Sequence, residues 1–262
     1  MLAYPIVLIL IRVFETHLIF FPNYPNRLAG DWNPKGLAVQ DVSLRSSDGV
    51  KLHAWWIPND KATFTFLAFH GNAGNMADRA DIYKFLGEIP ASVLAVEYRG
   101  YGRSEGSPSE NGVYLDAQGA YEYLVTSKGI QPKRIISFGQ SLGTAVAVDL
   151  AAHKQVGGVV LEAPFPSAAA VARISFWFLP GLSLLVRSQF DTKAKLRRIE
   201  SPLMVVHCTQ DPVLPYAFGE EVYVAAQSRK LFLKIEGYCH EEASVIAPER
   251  YRAALNGFLN TL

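Results

Sequence analysis

The sequence predicts an α/β protein built on a mostly parallel sheet of about eight strands, with helices on both faces. Three observations predict it. Short apolar runs rich in Val, Ile, Leu and Phe recur from residue 40 onward, as strands buried on both faces require. Segments of helical character separate most of them, which is the alternation of a parallel sheet. The first two runs instead flank Ser47-Asp48-Gly49, whose turn chemistry closes an antiparallel hairpin at one edge.

Taken in order, residues 42–45 and 52–57 form that hairpin, and 64–69 reads as a buried strand. A helix is expected over 76–86, then a second buried strand over 92–96 that ends at Glu97. The loop 98–106 carries three glycines and leads to a helix over 112–126. Strands follow at 135–138, 158–162, 203–207 and 231–235. Helices are expected behind Ser141, near 217–226 and over 248–259. Residues 165–190 break the alternation, being rich in Ala, Leu and Phe and interrupted by Pro180-Gly181. They read as a small apolar lid rather than a long crossover helix.

With 262 residues, 50% hydrophobic and 19% charged, residues 22–262 are expected to form one globular domain. Lys+Arg 25 against Asp+Glu 24 gives no basic footprint for a nucleic-acid partner. Two cysteines exclude a disulfide-dense scaffold and have no metal or redox spacing. Residues 1–21 differ: an apolar run to Ile11 is interrupted by Arg12, Glu15 and His17. About ten apolar residues fall short of the roughly 20 needed to span a bilayer, and a basic start with a small-residue cleavage site is lacking. A helix docked on the domain, an interfacial or truncated membrane anchor, and a poor signal peptide remain as readings.

Ser141 stands in Gly139-Gln140-Ser141-Leu142-Gly143, between an apolar strand and the helical stretch from Thr144. The G-x-S-x-G pattern in that setting holds a serine on a sharp strand-to-helix turn, its hydroxyl projecting from the strand end. The helix behind it aims free N–H groups at developing negative charge. In an open parallel sheet, residues just past strand C-termini meet along one edge. Asp211 follows one such strand and His240 another, in the chain order that suits this nucleophile. His240 is the expected general base and Asp211 the acid that orients it. The backbone N–H groups of Leu142 and Asn72 are the expected oxyanion hole. Asp191 competes for the acid role but precedes a helix rather than following a strand, and His70 reads as a loop-ordering residue.

These stretches together resemble the α/β-hydrolase superfamily and, more narrowly, the bud-emergence-type α/β-hydrolase-domain proteins and their bacterial relatives. The resemblance rests on residues 18–22, 69–75, 97–102, 139–143 and 162–165 with Asp211 and His240, and it runs from residue 18 to the end. It implies a carboxylic-ester hydrolase acting through a covalent acyl-enzyme with no cofactor. The substrate would be a small-molecule or lipid-like acyl ester. Some members of the resembled group are thought to deacylate proteins at membranes, so a thioesterase is one alternative and a silent ligand-binding fold another. The membrane anchoring common in that group supports an anchor reading of residues 1–21. Phe176, Trp177 and Leu179 are expected to line an apolar acyl tunnel. Peptidase action is disfavoured, since no acidic cluster offers to hold a peptide N-terminus. Where such relatives commonly carry glycine, this chain has Cys208 and Cys239, on neighbouring strand ends. Two readings are open: a bridge tying the acid loop to the base loop, or two unpaired thiols packed as small hydrophobes.

Overall fold

The computed structural model describes Val7 and residues 10–179 and 181–262; of the N-terminal segment, residues 1–6, 8 and 9 lie outside this description. Eight strands form one sheet: β1 (Gln40–Arg45), β2 (Lys51–Ile57), β3 (Phe64–Phe69), β4 (Ala91–Val96), β5 (Ile135–Gln140), β6 (Gly158–Glu162), β7 (Leu203–Cys208) and β8 (Lys230–Ile235). Their spatial order is β1-β2-β4-β3-β5-β6-β7-β8. The β1–β2 hairpin and the β2–β4 pairing are antiparallel, and every other pairing is parallel. The expected sheet is therefore present.

A short helix α1 (Glu15–Ile19) precedes the sheet. Helices α2 (Ala80–Gly87), α3 (Glu110–Glu122), α4 (Leu142–His153), α5 (Ala168–Ser175), α6 (Thr192–Leu196), α7 (Tyr216–Ala225), α8 (Ala243–Ile246) and α9 (Pro248–Leu259) follow. One apolar core lies beneath α3, α4 and α7, and the other beneath α2 and α9. Strands β3 to β7 thus face protein on both sides, which is why their sequences read as continuous apolar runs.

Two helix boundaries differ from the sequence expectation for local reasons. The expected helix over 76–86 opens as a 3-10 turn, Met76–Arg79, because Asn75 and Asp78 form a reciprocal capping box there. α3 starts at Glu110, two residues earlier than expected, where the Ser109 side chain accepts the Gly112 N–H. The lid region holds α5, capped by Ser167, and a 3-10 turn Leu182–Leu184.

The chain crosses from β3 to β4 on one side and later places β5 on the other side of β3. Such a reversal opens a crevice at the strand C-termini where ligands bind. The loop after β3 and the turn after β5 both lie there.

Candidate active site

Ser141 sits at φ 50° and ψ −117°, a strained conformation for a residue with a side chain. The surrounding backbone holds it. Its N–H donates to Glu162 O at 2.9 Å, and its carbonyl accepts from the Thr144 N–H and hydroxyl at 2.9 and 2.6 Å. The two glycines of the motif allow close packing. A Cβ on Gly139 would lie 2.2 Å from Gly143 O, and one on Gly143 would lie 2.1 Å from Phe69 O. Strand, helix and the β3 loop therefore converge on the serine more tightly than any other residue would permit.

The structure brings Ser141, Asp211 and His240 together. His240 Nε2 is 3.0 Å from Ser141 Oγ, and its Nδ1 is 2.7 Å from Asp211 Oδ2. Asp211 Oδ1 accepts the Val213 and Leu214 N–H groups, each at 2.8 Å. Burial raises the pKa of Asp211, but hydrogen bonds from His207 and His240 outweigh it and hold the carboxyl well below the usual range. For His240, burial favours the neutral ring. The Asp211 hydrogen bond and the nearby charges of Glu241, Asp211 and Glu242 prevail, raising its pKa above 6.5. Asp191 instead caps α6, its Oδ1 accepting the Ala194 N–H at 2.9 Å.

The loop after β3 is held from beneath. His70 and Glu97 form a fully buried pair at 3.1 Å, the other His70 nitrogen faces Gly71 O at 2.7 Å, and the Tyr98 hydroxyl donates to His70 O. His70 thus orders this loop, as its position suggested. Arg79 bridges the loop to the segment after His240, donating to Ala73 O and pairing with Glu241 at 2.9 Å. Gln140, beside Ser141, donates to both Glu162 Oε2 and Glu241 O at 3.1 Å. Among the described residues, the Leu142 and Asn72 N–H groups make no turn or loop hydrogen bond to another backbone carbonyl. Both residues border the same cavity as Ser141.

That cavity has a volume of about 310 Å³ and a largely apolar wall drawn from α1, α4, α5 and the lid. Of the three expected tunnel residues, only Phe176 lines it. Trp177 is 79% exposed, with Phe178 at 59%, and Leu179 is absent from the lining. α5 ends at Ser175 and the non-helical backbone at Phe176 breaks its periodicity, so Phe176 lines the cavity while Trp177 beside it is exposed. The wall is completed instead by Val171, Ala172, Leu182 and Leu185, and by Ile11, Leu18 and Ile19 of the N-terminal segment. Sequence reading missed these last three because a short apolar segment before the domain carries no signal of what it packs against.

Cys208 and Cys239 are joined in a disulfide, with Cα atoms 5.7 Å apart. The bridge ties the end of β7, three residues before Asp211, to the residue preceding His240. Sequence reading also passed over His207. Its Nε2 lies 3.2 Å from Leu214 O and 3.3 Å from Asp211 Oδ2. Its place at the end of an apolar strand, four residues before Asp211, was the available signal.

A serine on a strand-to-helix turn of such a sheet, in contact with a histidine, defines a protein of serine-hydrolase type. Comparison with known proteins agrees. A family model described as serine aminopeptidase, S33, matches residues 60–189. Rv2307c of Mycobacterium tuberculosis is 32% identical over 248 residues, covering 94% of this chain and 87% of that protein. The α/β hydrolase domain-containing protein WAV2 of Arabidopsis thaliana is 34% identical over 227 residues, covering 80% of this chain and 71% of WAV2. Among solved structures, the esterase Pf2001 of Pyrococcus furiosus shares the fold, with a TM-score of 0.72 at 22% identity over 90% of this chain and 95% of the esterase. An α/β hydrolase of Vibrio vulnificus superposes with a TM-score of 0.68 at 26% identity, over 84% and 81% of the two chains. The chain belongs to the α/β-hydrolase superfamily.

Proposed function

We propose that the protein is a carboxylic-ester hydrolase working through an acyl-enzyme at Ser141. The observation that carries this reading is the unbroken hydrogen-bond chain from Ser141 Oγ through His240 to Asp211, at 3.0 and 2.7 Å. Ser141 Oγ attacks the ester carbonyl carbon while His240 Nε2 takes its proton. Asp211 holds the Nδ1–H tautomer and stabilises the imidazolium that forms. The Leu142 and Asn72 amides receive the oxyanion, Leu142 from the first turn of α4. Collapse of the tetrahedral intermediate expels the alcohol, which leaves with the proton from His240. Water, activated by the same imidazole, then releases the acid. The apolar cavity beside Ser141 suits the hydrocarbon of a small-molecule or lipid-like acyl ester.

A fluorophosphonate probe tests this directly. It should label Ser141 and fail to label Ser141→Ala, and the variant should lose hydrolysis of p-nitrophenyl esters. A well-folded wild-type protein that neither labels nor turns over would point to a silent binding fold. Competition between ester and thioester substrates separates an esterase from an acyl-protein thioesterase.

Against aminopeptidase action, the one carboxylate lining the cavity among the described residues is already engaged: Glu15 accepts the Arg187 and Ser188 N–H groups. An ammonium group from a peptide would have to displace them. The exposed apolar side chains of Leu10, Val13 and Phe14 support a membrane-facing role for the N-terminal segment. Among the described residues, no helix is long and apolar enough to cross a membrane.

A further inference from the structure

We infer that residues 11–21 are a working wall of the substrate site: α1 and its lead-in select the acyl chain, and the turn at Ile19–Phe21 fixes the orientation of Asn72. The inference rests on the reading of Ser141 as the acyl-accepting nucleophile.

Two independent sets of contacts carry it. The first places the segment in the cavity, where Ile11, Leu18 and Ile19 face the same space as Ser141. The segment is fastened there rather than resting on a surface. Glu15 is only 8% exposed, and its carboxylate accepts three N–H contacts from Arg187 and Ser188, at 2.7 to 3.1 Å. Arg12 Nη1 donates to Leu185 O at 2.9 Å. Phe20 is buried in the core and stacks edge-on against Phe190, 6.1 Å away. These contacts join the wall to the lid region.

The second set holds the loop after β3. The Phe21 N–H donates to Asn72 O at 2.9 Å, and Asn72 Nδ2 donates back to Ile19 O at 3.1 Å. The Tyr101 hydroxyl gives Asn72 O a second donor at 2.7 Å. Phe21 also pairs with Ala73 in an isolated parallel bridge. With carbonyl and side chain of Asn72 both tied to the N-terminal segment, the loop carrying its N–H has little freedom to turn. Preorganised donors of this kind stabilise an oxyanion without reorganising during reaction. One segment thus serves chain-length selection and transition-state stabilisation together.

The experiment is a p-nitrophenyl ester series from acetate to decanoate on the full-length protein. Leu18→Trp and, separately, Ile11→Trp fill the wall. Each should lower the octanoate-to-acetate ratio of kcat/KM about tenfold or more, since a pocket discriminates by about that factor per methylene. Asn72→Ala leaves the backbone N–H but frees the loop. It should lower kcat for acetate and octanoate alike, with little change in KM. An unchanged circular-dichroism spectrum and urea-unfolding midpoint confirm that each variant is folded. An unchanged octanoate-to-acetate ratio in both tryptophan variants, in protein that still labels, overturns the inference alone. Wild-type protein that hydrolyses no ester and takes no label overturns it together with the reading of Ser141.

Discussion

His207 and His240 share one oxygen of Asp211. His240 Nδ1 lies 2.7 Å and His207 Nε2 3.3 Å from the same Oδ2, while Oδ1 takes two backbone N–H groups. His207 Nε2 is within reach of two acceptors, Asp211 Oδ2 and Leu214 O, and its Nδ1 has no partner among the described residues. The proton therefore sits on Nε2. His207 is a fully buried donor to the same Asp211 oxygen that faces His240.

This sharing has a measurable consequence. In the proposed mechanism His240 is the general base and must be neutral, so kcat/KM should rise with pH through a pKa above 6.5 and fall away below it. The groups facing that imidazole are Asp211, Glu241, Glu242 and Ser141. His207→Leu removes one donor from Asp211, leaves more negative charge for His240, and should move the acid limb to higher pH. His207→Gln keeps an N–H donor and should restore it. A limb that stays put in His207→Leu, with only thermal stability reduced, would make His207 a packing residue.

Asp211→Asn keeps the size of the acid but turns an acceptor into a donor. Facing His240 Nδ1, the amide favours the wrong tautomer, and kcat should fall by about 10⁴-fold with KM little changed. Pre-steady-state acylation by p-nitrophenyl acetate is the measurement. A loss below about tenfold would mean that another carboxylate orients His240.

Reduction of Cys208–Cys239 should destabilise the fold more than it alters the chemistry. The bridge closes a loop with a sequence separation of 31, for which chain-entropy arguments give about 3–4 kcal/mol. Cys208→Ser with Cys239→Ser should lower the midpoint of urea unfolding accordingly. Thiol titration of unfolded, unreduced wild-type protein should find no free sulfhydryl; two would show the bridge to be absent in solution.

Glu162 presents the opposite case from Asp211. Complete burial pushes its pKa up to about 8, only partly opposed by the Ala243 N–H and the Gln140 amide. The folded protein then keeps a proton that the unfolded chain gives up near 4.5. Stability from this group is full below about pH 4.5 and is lost progressively as pH rises towards 8. Glu162→Gln mimics the protonated form and should match wild type at acid pH while exceeding it at pH 9. Parallel melting curves across that range would contradict the assignment.

Much of the fold was legible because burial on both faces writes itself into composition. Phe64–Phe69, Ile135–Gln140 and Leu203–Cys208 read as strands without any alternation, since each is covered by helices on two sides. Ser141 was legible because a residue held at positive φ between packed elements needs glycine neighbours at fixed positions. Asp211 and His240 followed from their places just beyond strand ends. The direction of Trp177 was not legible, because an aromatic in a short lid can face the cavity or water with the same neighbours in sequence.

What the sequence determined by itself was therefore local: the positions of the strands, the elbow at Ser141 and the chain order of Asp211 and His240 after it. Only the tertiary structure decided which groups surround that chemistry. It put His207 on Asp211, joined Cys208 to Cys239, and brought Ile19 and Phe21 against the loop of Asn72. Those contacts join segments far apart in the chain, and their energies depend on shape and distance in the folded state. A one-dimensional pattern records neither.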